Sequence, residues 1–314
     1  MIIARNAVYA AQRSGLRESG SVVTIGNFDG VHIGHQAMLR AAREQADDLK
    51  LPLVVLSFDP HPEAHFSPQT APPRLSSLAE RVLLLGECGV DVACIMPFNA
   101  QLAGIEHLSF VSEVLCRQLN ARCVVIGDDF HYGKGRAGNA QTLREASTRH
   151  GFTLIQIPSV MKGVCRVSST EIRNMLEAGE IELAAHYLGR QFTIAGRVSH
   201  GDARGRTWGF PTLNLVMRHR RALKGVFAVS VEGLDGKTYQ GVANLGKRPT
   251  VGGLKTLLEV HLFAYQGDAY GQRVCVAFHK QIRREHKFES FDALKAQIQL
   301  DIMQAHNYFE ESTG

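Results

Sequence analysis

The sequence predicts an α/β domain with a parallel sheet, followed by a small antiparallel β-barrel and a C-terminal helix. The chain has 314 residues, which favours two domains over one. Up to about residue 185, apolar runs alternate with helical segments, a pattern typical of a parallel sheet covered on both faces. After about residue 188, short alternating strands are separated by glycine-rich turns, as in antiparallel barrels. We therefore assign residues 1–187 to the first domain and 188–314 to the second.

Five apolar runs of the first domain are predicted strands: 22–25, 53–58, 92–97, 123–126 and 153–157. Helices are predicted between them, for example over 78–88 and 110–119. The predicted strands of the second domain are 192–198, 225–232, 238–243, 256–263 and 273–278, and one helix covers 291–308. An Asp-Gly pair at 235–236 predicts a hairpin turn. The ligand of an open parallel sheet binds beyond the carboxyl ends of its strands, so a first site is expected there.

The composition argues against several classes of protein. Apolar residues make up 45% and charged residues 21%, as in ordinary globular proteins, and no run of eighteen apolar residues predicts a transmembrane helix. The N-terminus lacks the apolar core of a signal peptide. Six scattered cysteines without a Cys-x-x-Cys pair predict neither a zinc site nor a disulfide framework and fit a reducing cytoplasm. A net charge of +5 favours anionic ligands but is not a nucleic-acid signature.

The most informative segment reads Gly-Asn-Phe-Asp-Gly-Val-His-Ile-Gly-His and joins the strand of 22–25 to a helix. Its two imidazoles, His32 and His35, are three positions apart and share one face at the start of that helix. The first helical turn offers unpaired N–H groups to an anion, and the glycines let a phosphate approach the main chain. Imidazoles there can stabilise the charge on a phosphorus under attack. The segment predicts a nucleotide-transfer site, with ordinary packed or solvated histidines as the alternative.

Three more segments of the first domain carry polar groups. Ser-Phe-Asp-Pro-His-Pro at 57–62 follows the second strand, and its His61 and His65 fit a loop better than a metal site. The segment 127–138 contains a Gly-x-Gly-x-x-Gly pattern, but it begins too late after the strand for a dinucleotide fingerprint, so we reject that interpretation. Arg-Val-Ser-Ser-Thr-Glu-Ile-Arg at 166–173 opens a helix, where its hydroxyls suit both a capping box and triphosphate binding.

These segments resemble the His-x-Gly-His signature of the nucleotidyltransferase superfamily. In their fuller form they resemble the bacterial bifunctional riboflavin kinase/FMN adenylyltransferases (FAD synthetases). The resemblance implies a Rossmann-like first domain in which an FMN phosphate attacks the α-phosphorus of ATP, with Mg²⁺, and releases pyrophosphate to form FAD. His32 and His35 would be catalytic. The implied ATP-binding residues are Gly26, Phe28, Asp29, Gly34, Ser168, Ser169, Thr170 and Arg173, and the implied flavin-binding residues are Asp59, Asp129, Tyr132 and Arg136.

The second domain contains a Pro-Thr-Leu-Asn segment at 211–214. Thr212 and Asn214 are two residues apart in an extended segment, so they point to the same side, and both offer the hard oxygens that suit magnesium. Glu259 lies in the middle of the strand of 256–263, where a carboxylate is commonly just solvent-facing. Residues 241–248 imitate a Walker A loop, but Arg248 replaces its Ser/Thr and a proline follows where a helix should begin.

The same resemblance extends to this domain. It implies a riboflavin kinase in which Glu259 is the general base that accepts the proton of the riboflavin 5′-hydroxyl. Gly201, Gly205, Thr212 and Asn214 would bind ATP, with Thr212 and Asn214 as Mg²⁺ ligands, and Arg284 would approach the flavin. The chain departs from the family pattern at Trp208, Ala264 and His131, which bears on substrate affinity rather than on the reaction.

The sequence therefore predicts a cytoplasmic enzyme that acts on riboflavin, FMN and ATP, with neither nucleic acid nor membrane as a partner. One alternative is an adenylyltransferase for another phosphate, which would need no kinase barrel. The other is a module that binds single-stranded nucleic acid through the barrel. The sequence leaves the oligomeric state open.

Overall fold

The computed structural model describes residues 1–200, 210–217, 219–250 and 253–312. Their contacts form two compact units, Met1–Pro72 with Ser76–Ser168, and Pro73–Leu75 with Ser169–Gly314. The domain boundary at 187/188 stays a prediction, since these units divide the chain after Ser168.

The first unit alternates strands and helices along the chain. Its strands are β1 (Ile2–Ala4), β2 (Ser21–Ile25), β3 (Leu53–Asp59), β4 (Val92–Pro97), β5 (Ala121–Gly127), β6 (His131–Tyr132), β7 (Gly138–Asn139), β8 (Thr153–Ile157), β9 (Met161–Lys162) and β10 (Cys165–Arg166). Its α-helices are α1 (Ala7–Ser14), α2 (Leu16–Ser19), α3 (Ile33–Leu49), α4 (Pro62–Phe66), α5 (Leu78–Glu87), α6 (Ala100–Ala103), α7 (His107–Ser109) and α8 (Ala140–His150). A π-helical segment covers Phe110–Gln118 and a short 3₁₀ turn covers Lys134–Arg136.

A six-stranded parallel sheet organises this unit, in the order β1-β4-β3-β2-β5-β8. Alternate side chains of a strand enter different apolar clusters: Val23 and Ile25 of β2 pack in one, whereas Val22 packs in the other. Helices therefore cover both faces, as parallel strands require. The five strands predicted for the first domain are confirmed. The sequence analysis missed β1, which has only three residues.

The second unit begins with two helices, α9 (Ser169–Ala178) and α10 (Ile181–Leu188). Its strands are β11 (Phe192–Arg197), β12 (Leu213–Met217), β13 (Gly225–Leu234), β14 (Lys237–Thr250), β15 (Gly253–Leu262) and β16 (Arg273–Arg283), and the chain continues into α11 (Phe291–Glu311). The strands form an antiparallel sheet in the order β11-β16-β13-β14-β15-β12. The N–H of Ser199, just beyond β11, donates to the carbonyl of Asn214 in β12 at 2.8 Å. This contact joins the two outer strands, which confirms the predicted barrel.

Two strands of the barrel differ from the prediction. Strand β14 runs to Thr250 instead of ending at 243, because residues 241–250 pair continuously with β15. Strand β12 was predicted only as an extended segment. It forms by pairing on the free edge of β15, with Leu215 opposite Leu258. Both differences come from long-range pairing, which a local pattern does not report.

Helix α11 packs against the outer face of the barrel. Val226, Ala228 and Val242 of the sheet meet Ala305 and Phe309 of the helix in one apolar cluster. An ion pair beside this cluster holds the helix: the guanidinium of Arg283 donates from Nε and Nη2 to the two carboxylate oxygens of Asp301, each at 2.8 Å.

We predict that Asp301→Asn destabilises the barrel by about 3 kcal/mol, because it leaves a partly buried guanidinium without its counter-charge. Asp301 is only 3% exposed, so water cannot replace the lost contact. Urea unfolding of the second unit measures the loss. Tyr239→Phe is the control, since it removes an exposed hydrogen bond to Asp235 and should cost less than about 1 kcal/mol. Equal losses in the two variants would contradict the importance of this ion pair.

Candidate active sites

The loop between β2 and α3 has an unusual backbone. Phe28, Gly30 and Val31 adopt positive φ angles of 51°, 81° and 40°. A β-branched residue such as Val31 rarely adopts this conformation, so the surrounding structure must hold the loop in place. His32 ends the loop as the N-cap of α3, and its Nδ1 accepts the backbone N–H of His35 at 3.3 Å. The histidines therefore lie at the first turn of the helix, where the sequence placed them.

The two imidazoles are stacked on each other. Their ring centroids are 3.7 Å apart with an interplanar angle of 18°. The ring of Phe28 is buried, and its centroid lies 5.1 Å from that of His35, so it packs against the histidine pair. A Cβ at Gly34 would come within 3.2 Å of the His32 ring, so a larger residue there would push this ring out of its place. Phe28 and Gly34, both expected to bind ATP, thus shape the histidine pair.

His35 is held in its neutral form. Burial lowers its pKa well below 6.5, and the nearby positive charges of His32 and Arg81 lower it further. Its Nδ1 is buried and has no hydrogen-bond partner among the described residues. A neutral imidazole at this helix start can still donate one hydrogen bond from its other ring nitrogen.

Asp29 stabilises the loop from inside. Its carboxylate accepts hydrogen bonds from the backbone N–H of Ser76 at 2.9 Å and from the Ser76 hydroxyl at 3.1 Å. The same hydroxyl accepts the N–H of Gly30 at 3.0 Å. All these groups are buried, which makes the contacts expensive to lose. The structure thus shows a loop-holding role for Asp29, and its predicted ATP contact stays a prediction.

The sequence analysis missed Arg81, which belongs to the first turn of α5. Its Nη1 donates to the carbonyl of Asn27 at 2.7 Å, and its Nη2 donates to the carbonyl of Phe58 at 3.0 Å. Nη2 also lies 3.8 Å from the carboxylate of Asp59, a predicted flavin-binding residue. The sequence did contain a signal for Arg81: it follows the capping-box residue Glu80 and precedes an apolar run of the helix.

The other predicted flavin-binding residues have different environments. Asp129 is exposed and forms a 2.7 Å ion pair with Arg166. Tyr132 is buried, stacks on Phe130 and shares a hydrogen bond between its hydroxyl and Thr142. Arg136 is exposed, with a positive φ of 58°. Their contacts with a flavin remain predictions.

The predicted phosphate-binding segment after β10 is divided between the units. Ser168 is half-buried at the end of the first unit. Ser169, Thr170 and Arg173 belong to α9 of the second unit, and the Nε of Arg173 donates to the carbonyl of Pro73 at 2.8 Å. Thr170 is exposed. Phosphate binding by these residues remains a prediction.

In the second unit, three polar residues line up across the barrel. Asn214 of β12 and Asn244 of β14 each lie directly opposite Glu259 of β15. Directly opposed residues of an antiparallel pair project from the same face, so the carboxylate has an amide on either side. The residues before and after it, Leu258 and Val260, are fully buried on the other face, as the alternation predicted. The sequence analysis missed Asn244, because only the strand register places it beside Glu259.

The predicted magnesium ligands are compatible with a cation. Asn214 is buried, and its Nδ2 lies 3.5 Å from the carbonyl of Thr212. Within the described ranges, neither the Asn214 Oδ1 nor the Thr212 hydroxyl makes a hydrogen bond, so both hard oxygens are available. The described side chains contain no group of three or more His, Cys, Asp or Glu that could hold a metal by itself. This donor set therefore fits a cation that phosphate oxygens also coordinate.

Some of the remaining predicted site residues of the barrel lie outside the residues that the structure describes. Gly201, Gly205 and Trp208 lie outside the described residues. Arg284 is exposed after β16, next to the Arg283 that pairs with Asp301. Glu285 follows, and the end of its side chain lies next to Gly246 of β14. The flavin contact of Arg284 stays a prediction.

None of the described helices is long and apolar enough to cross a membrane.

Comparison with known proteins places both halves of the chain. The FAD synthetase family matches residues 16–171, and the riboflavin kinase family matches residues 188–309. The bifunctional riboflavin kinase/FMN adenylyltransferase of Escherichia coli K12 is 42% identical over 93% of this chain and 94% of its own length. The protein of the same description from Haemophilus influenzae is 45% identical over 92% of this chain and 94% of its own length.

A solved structure supports the same fold over the whole length. The crystal structure of a macrolide-efflux protein from Streptococcus pneumoniae matches with a TM-score of 0.80 and 33% identity, covering 96% of each chain. The two family matches, their order and the full-length similarity agree with the two sites described above. The chain belongs to the family of bifunctional riboflavin kinase/FMN adenylyltransferases.

Proposed function

We propose that the chain phosphorylates riboflavin to FMN in its barrel and adenylates FMN to FAD in its parallel-sheet unit, each time with ATP. The observation that carries the proposal is that each unit contains one group of polar side chains suited to phosphate chemistry. Stacked histidines lie at the start of α3, and a carboxylate lies between two amides in the barrel. The substrates riboflavin, FMN and ATP are inferred from the family to which the chain belongs.

In adenylyl transfer, a phosphate oxygen of FMN attacks the α-phosphorus of ATP, and the bond to the leaving pyrophosphate breaks. No covalent nucleophile of the protein is needed, so alignment and charge stabilisation dominate. His32 and His35 face this charge at the first turn of α3, where backbone N–H groups also point at an anion. Because His35 is neutral, it binds the phosphates as a hydrogen-bond donor. Ser168, Ser169, Thr170 and Arg173 complete the phosphate contacts in this proposal.

In the kinase reaction, the riboflavin 5′-hydroxyl attacks the γ-phosphorus of ATP, and the bond from this phosphorus to the leaving ADP breaks. The proton of the hydroxyl passes to Glu259. Asn214 and Asn244 lie opposite Glu259 on the neighbouring strands, so their amides flank the carboxylate. Thr212 and Asn214 would hold Mg²⁺. The ion would neutralise charge on the phosphates of ATP.

We further place the enzyme in the cytoplasm. All six cysteines are free thiols in the structure, which fits a reducing compartment. Burial raises the pKa of the Cys94 thiol to about 12, so this thiol stays protonated at neutral pH.

The direct test incubates the purified protein with riboflavin, ATP and magnesium and separates the flavins by chromatography. We expect FMN and then FAD. With ATP and FMN supplied, FAD and pyrophosphate should form without riboflavin. A protein that converts neither riboflavin nor FMN would contradict the proposal.

Glu259→Gln should lower the kcat of riboflavin phosphorylation by about 10²–10⁴-fold, because the amide cannot accept the hydroxyl proton. Adenylation of supplied FMN should continue at the wild-type rate. Glu232→Gln is the matched control, since this glutamate is exposed on β13. Equal kinase activity in the two variants would remove Glu259 from the role of base.

His32→Ala combined with His35→Ala should stop synthesis at FMN, because both imidazoles that face the phosphates are lost. Riboflavin phosphorylation should proceed as in the wild type. Initial rates for each half-reaction, followed by chromatography of the flavins, measure this division. Continued FAD formation at the wild-type rate would show that adenylyl transfer occurs elsewhere.

The stability of the first unit should rise with pH through the range just below 6.5. The unfolded chain protonates His35 near 6.5, whereas the lowered pKa keeps the folded form unprotonated there. The unfolded state therefore binds more protons in this range, and acid shifts the equilibrium toward it. Urea unfolding between about pH 5 and 7 measures the slope, which should decrease in His35→Gln. An unchanged slope in that variant would contradict the neutral assignment.

A further inference from the structure

Arg81 is a buried cation that connects two loops of the parallel-sheet unit. One loop is Gly26–His35, whose Asn27 carbonyl accepts from Nη1 at 2.7 Å. The other loop begins at the end of β3, where the Phe58 carbonyl accepts from Nη2 at 3.0 Å. Asn27 also reaches this second loop directly, through a 3.0 Å contact between its Nδ2 and the Nε2 of His61. The guanidinium is therefore part of a link between the carboxyl ends of β2 and β3.

Keeping this charge buried is expensive. The Arg81 side chain is 7% exposed, and a carboxylate oxygen of Asp59 lies 3.8 Å from its Nη2. Two of its contacts are neutral carbonyls, which compensate only part of the desolvation of a cation. An apolar side chain would fill the space at lower cost if packing were the only requirement. The geometry that the two carbonyl contacts impose is the feature that an apolar residue could not supply.

The first turn of α5 fixes the starting point of this side chain. Ser77 and Glu80 form a reciprocal capping box there. The N–H of Arg81 then donates to the carbonyl of Ser77 at 2.9 Å. The same segment provides Ser76, which holds Asp29 and Gly30. Residues 76–81 thus contact the histidine loop at Asn27, Asp29 and Gly30.

The charge of Arg81 also acts on the histidines. The groups whose charges lower the pKa of His35 are His32 from its own loop and Arg81 from α5. Asp59, at the end of β3, lies beside the guanidinium and moderates its field.

We propose that Arg81 is a positioning residue for adenylyl transfer, which holds the histidine loop and the loop after β3 at a fixed spacing through their backbone carbonyls. This inference rests on the proposed function. The phosphates of ATP bind to the first loop and the flavin to the second, so a change of their spacing misaligns the attacking oxygen and the α-phosphorus. Such a misplacement of about 1 Å costs on the order of 10²-fold in rate.

The test uses the full-length protein with Arg81→Met and Arg81→Lys. We expect Arg81→Met to lower the kcat of FAD formation by about 10²-fold, with a smaller change in the KM for ATP. Arg81→Lys keeps the charge but cannot hold both carbonyls as a planar fork does, so its kcat should be intermediate. Riboflavin phosphorylation in the same preparations should stay within about two-fold of the wild type and reports that the barrel is intact.

A histidine-ring NMR titration separates positioning from simple loss of structure. The pKa of His35 should rise in Arg81→Met, which lacks the charge, and stay close to the wild-type value in Arg81→Lys. Arg43→Met is the matched control. Arg43 also binds a backbone carbonyl, that of Gly89, and a carboxylate, that of Asp91, but it does so at the amino-terminal side of β4. This control should leave both the kcat of FAD formation and the His35 titration unchanged.

Two results would overturn the inference. One is an Arg81→Met protein with wild-type kcat for FAD formation and an unchanged His35 titration. The other is equal loss of FAD formation in Arg81→Met and Arg43→Met, which would assign Arg81 to general stability. A wild-type protein that makes no FAD from FMN would instead refute the proposed function, and the His35 titration would still report on Arg81.

Discussion

The structure of the first site depends on one tight connection, the passage from β2 to α3. Only seven residues, 26–32, connect the buried strand β2 to α3, whose first turn carries the two imidazoles. This is possible only because Phe28, Gly30 and Val31 accept left-handed backbone conformations. Such conformations cost free energy, and buried hydrogen bonds must hold them in place. Asp29 and Ser76 supply these bonds, while the ring of Phe28 supports His35.

This constraint also sets the electrostatics of the histidine pair. Stacked imidazoles 3.7 Å apart cannot both carry charge cheaply, and Arg81 adds a further positive charge nearby. His35 is therefore kept neutral in the folded protein. A site of this kind attracts polyanions through its helix N-terminus and guanidinium, while the ring of His35 retains a neutral donor. The arrangement suits a reaction that needs alignment more than proton transfer.

In the barrel, strand register determines the surroundings of the candidate site. The proposed reaction needs a base, and the proposed base, Glu259, is a carboxylate whose neighbours are fixed by strand register. Pairing of β15 with β12 on one side and β14 on the other brings Asn214 and Asn244 to Glu259. A shift of register by one residue would turn Glu259 into the core and Leu258 out of it. The apolar face of β15 thus enforces the orientation of the carboxylate.

The order of the elements, the two classes of sheet and the residues that face each core could be predicted from the amino-acid sequence. This was possible because apolar periodicity reflects burial directly, as Leu258, Val260 and the buried runs of the parallel strands show. The sequence also identified the histidine pair and the Thr-x-Asn segment, since their chemistry is readable from residue type and local spacing. Extended pairing of β14 beyond 243 and the role of β12 could not be read in this way, because both depend on partners far along the chain.

The surroundings of the candidate site residues depend on the fold and could not be predicted from the sequence. Arg81 is separated by more than forty residues from the histidines and Asn244 by fifteen residues from Glu259, so no local pattern links them. A sequence gives the identity of each residue. The electrostatic field at a site and the distances between its groups depend on which distant segments fold together there. For this reason the neutrality of His35, the carbonyl contacts of Arg81 and the amides beside Glu259 emerged only from the fold.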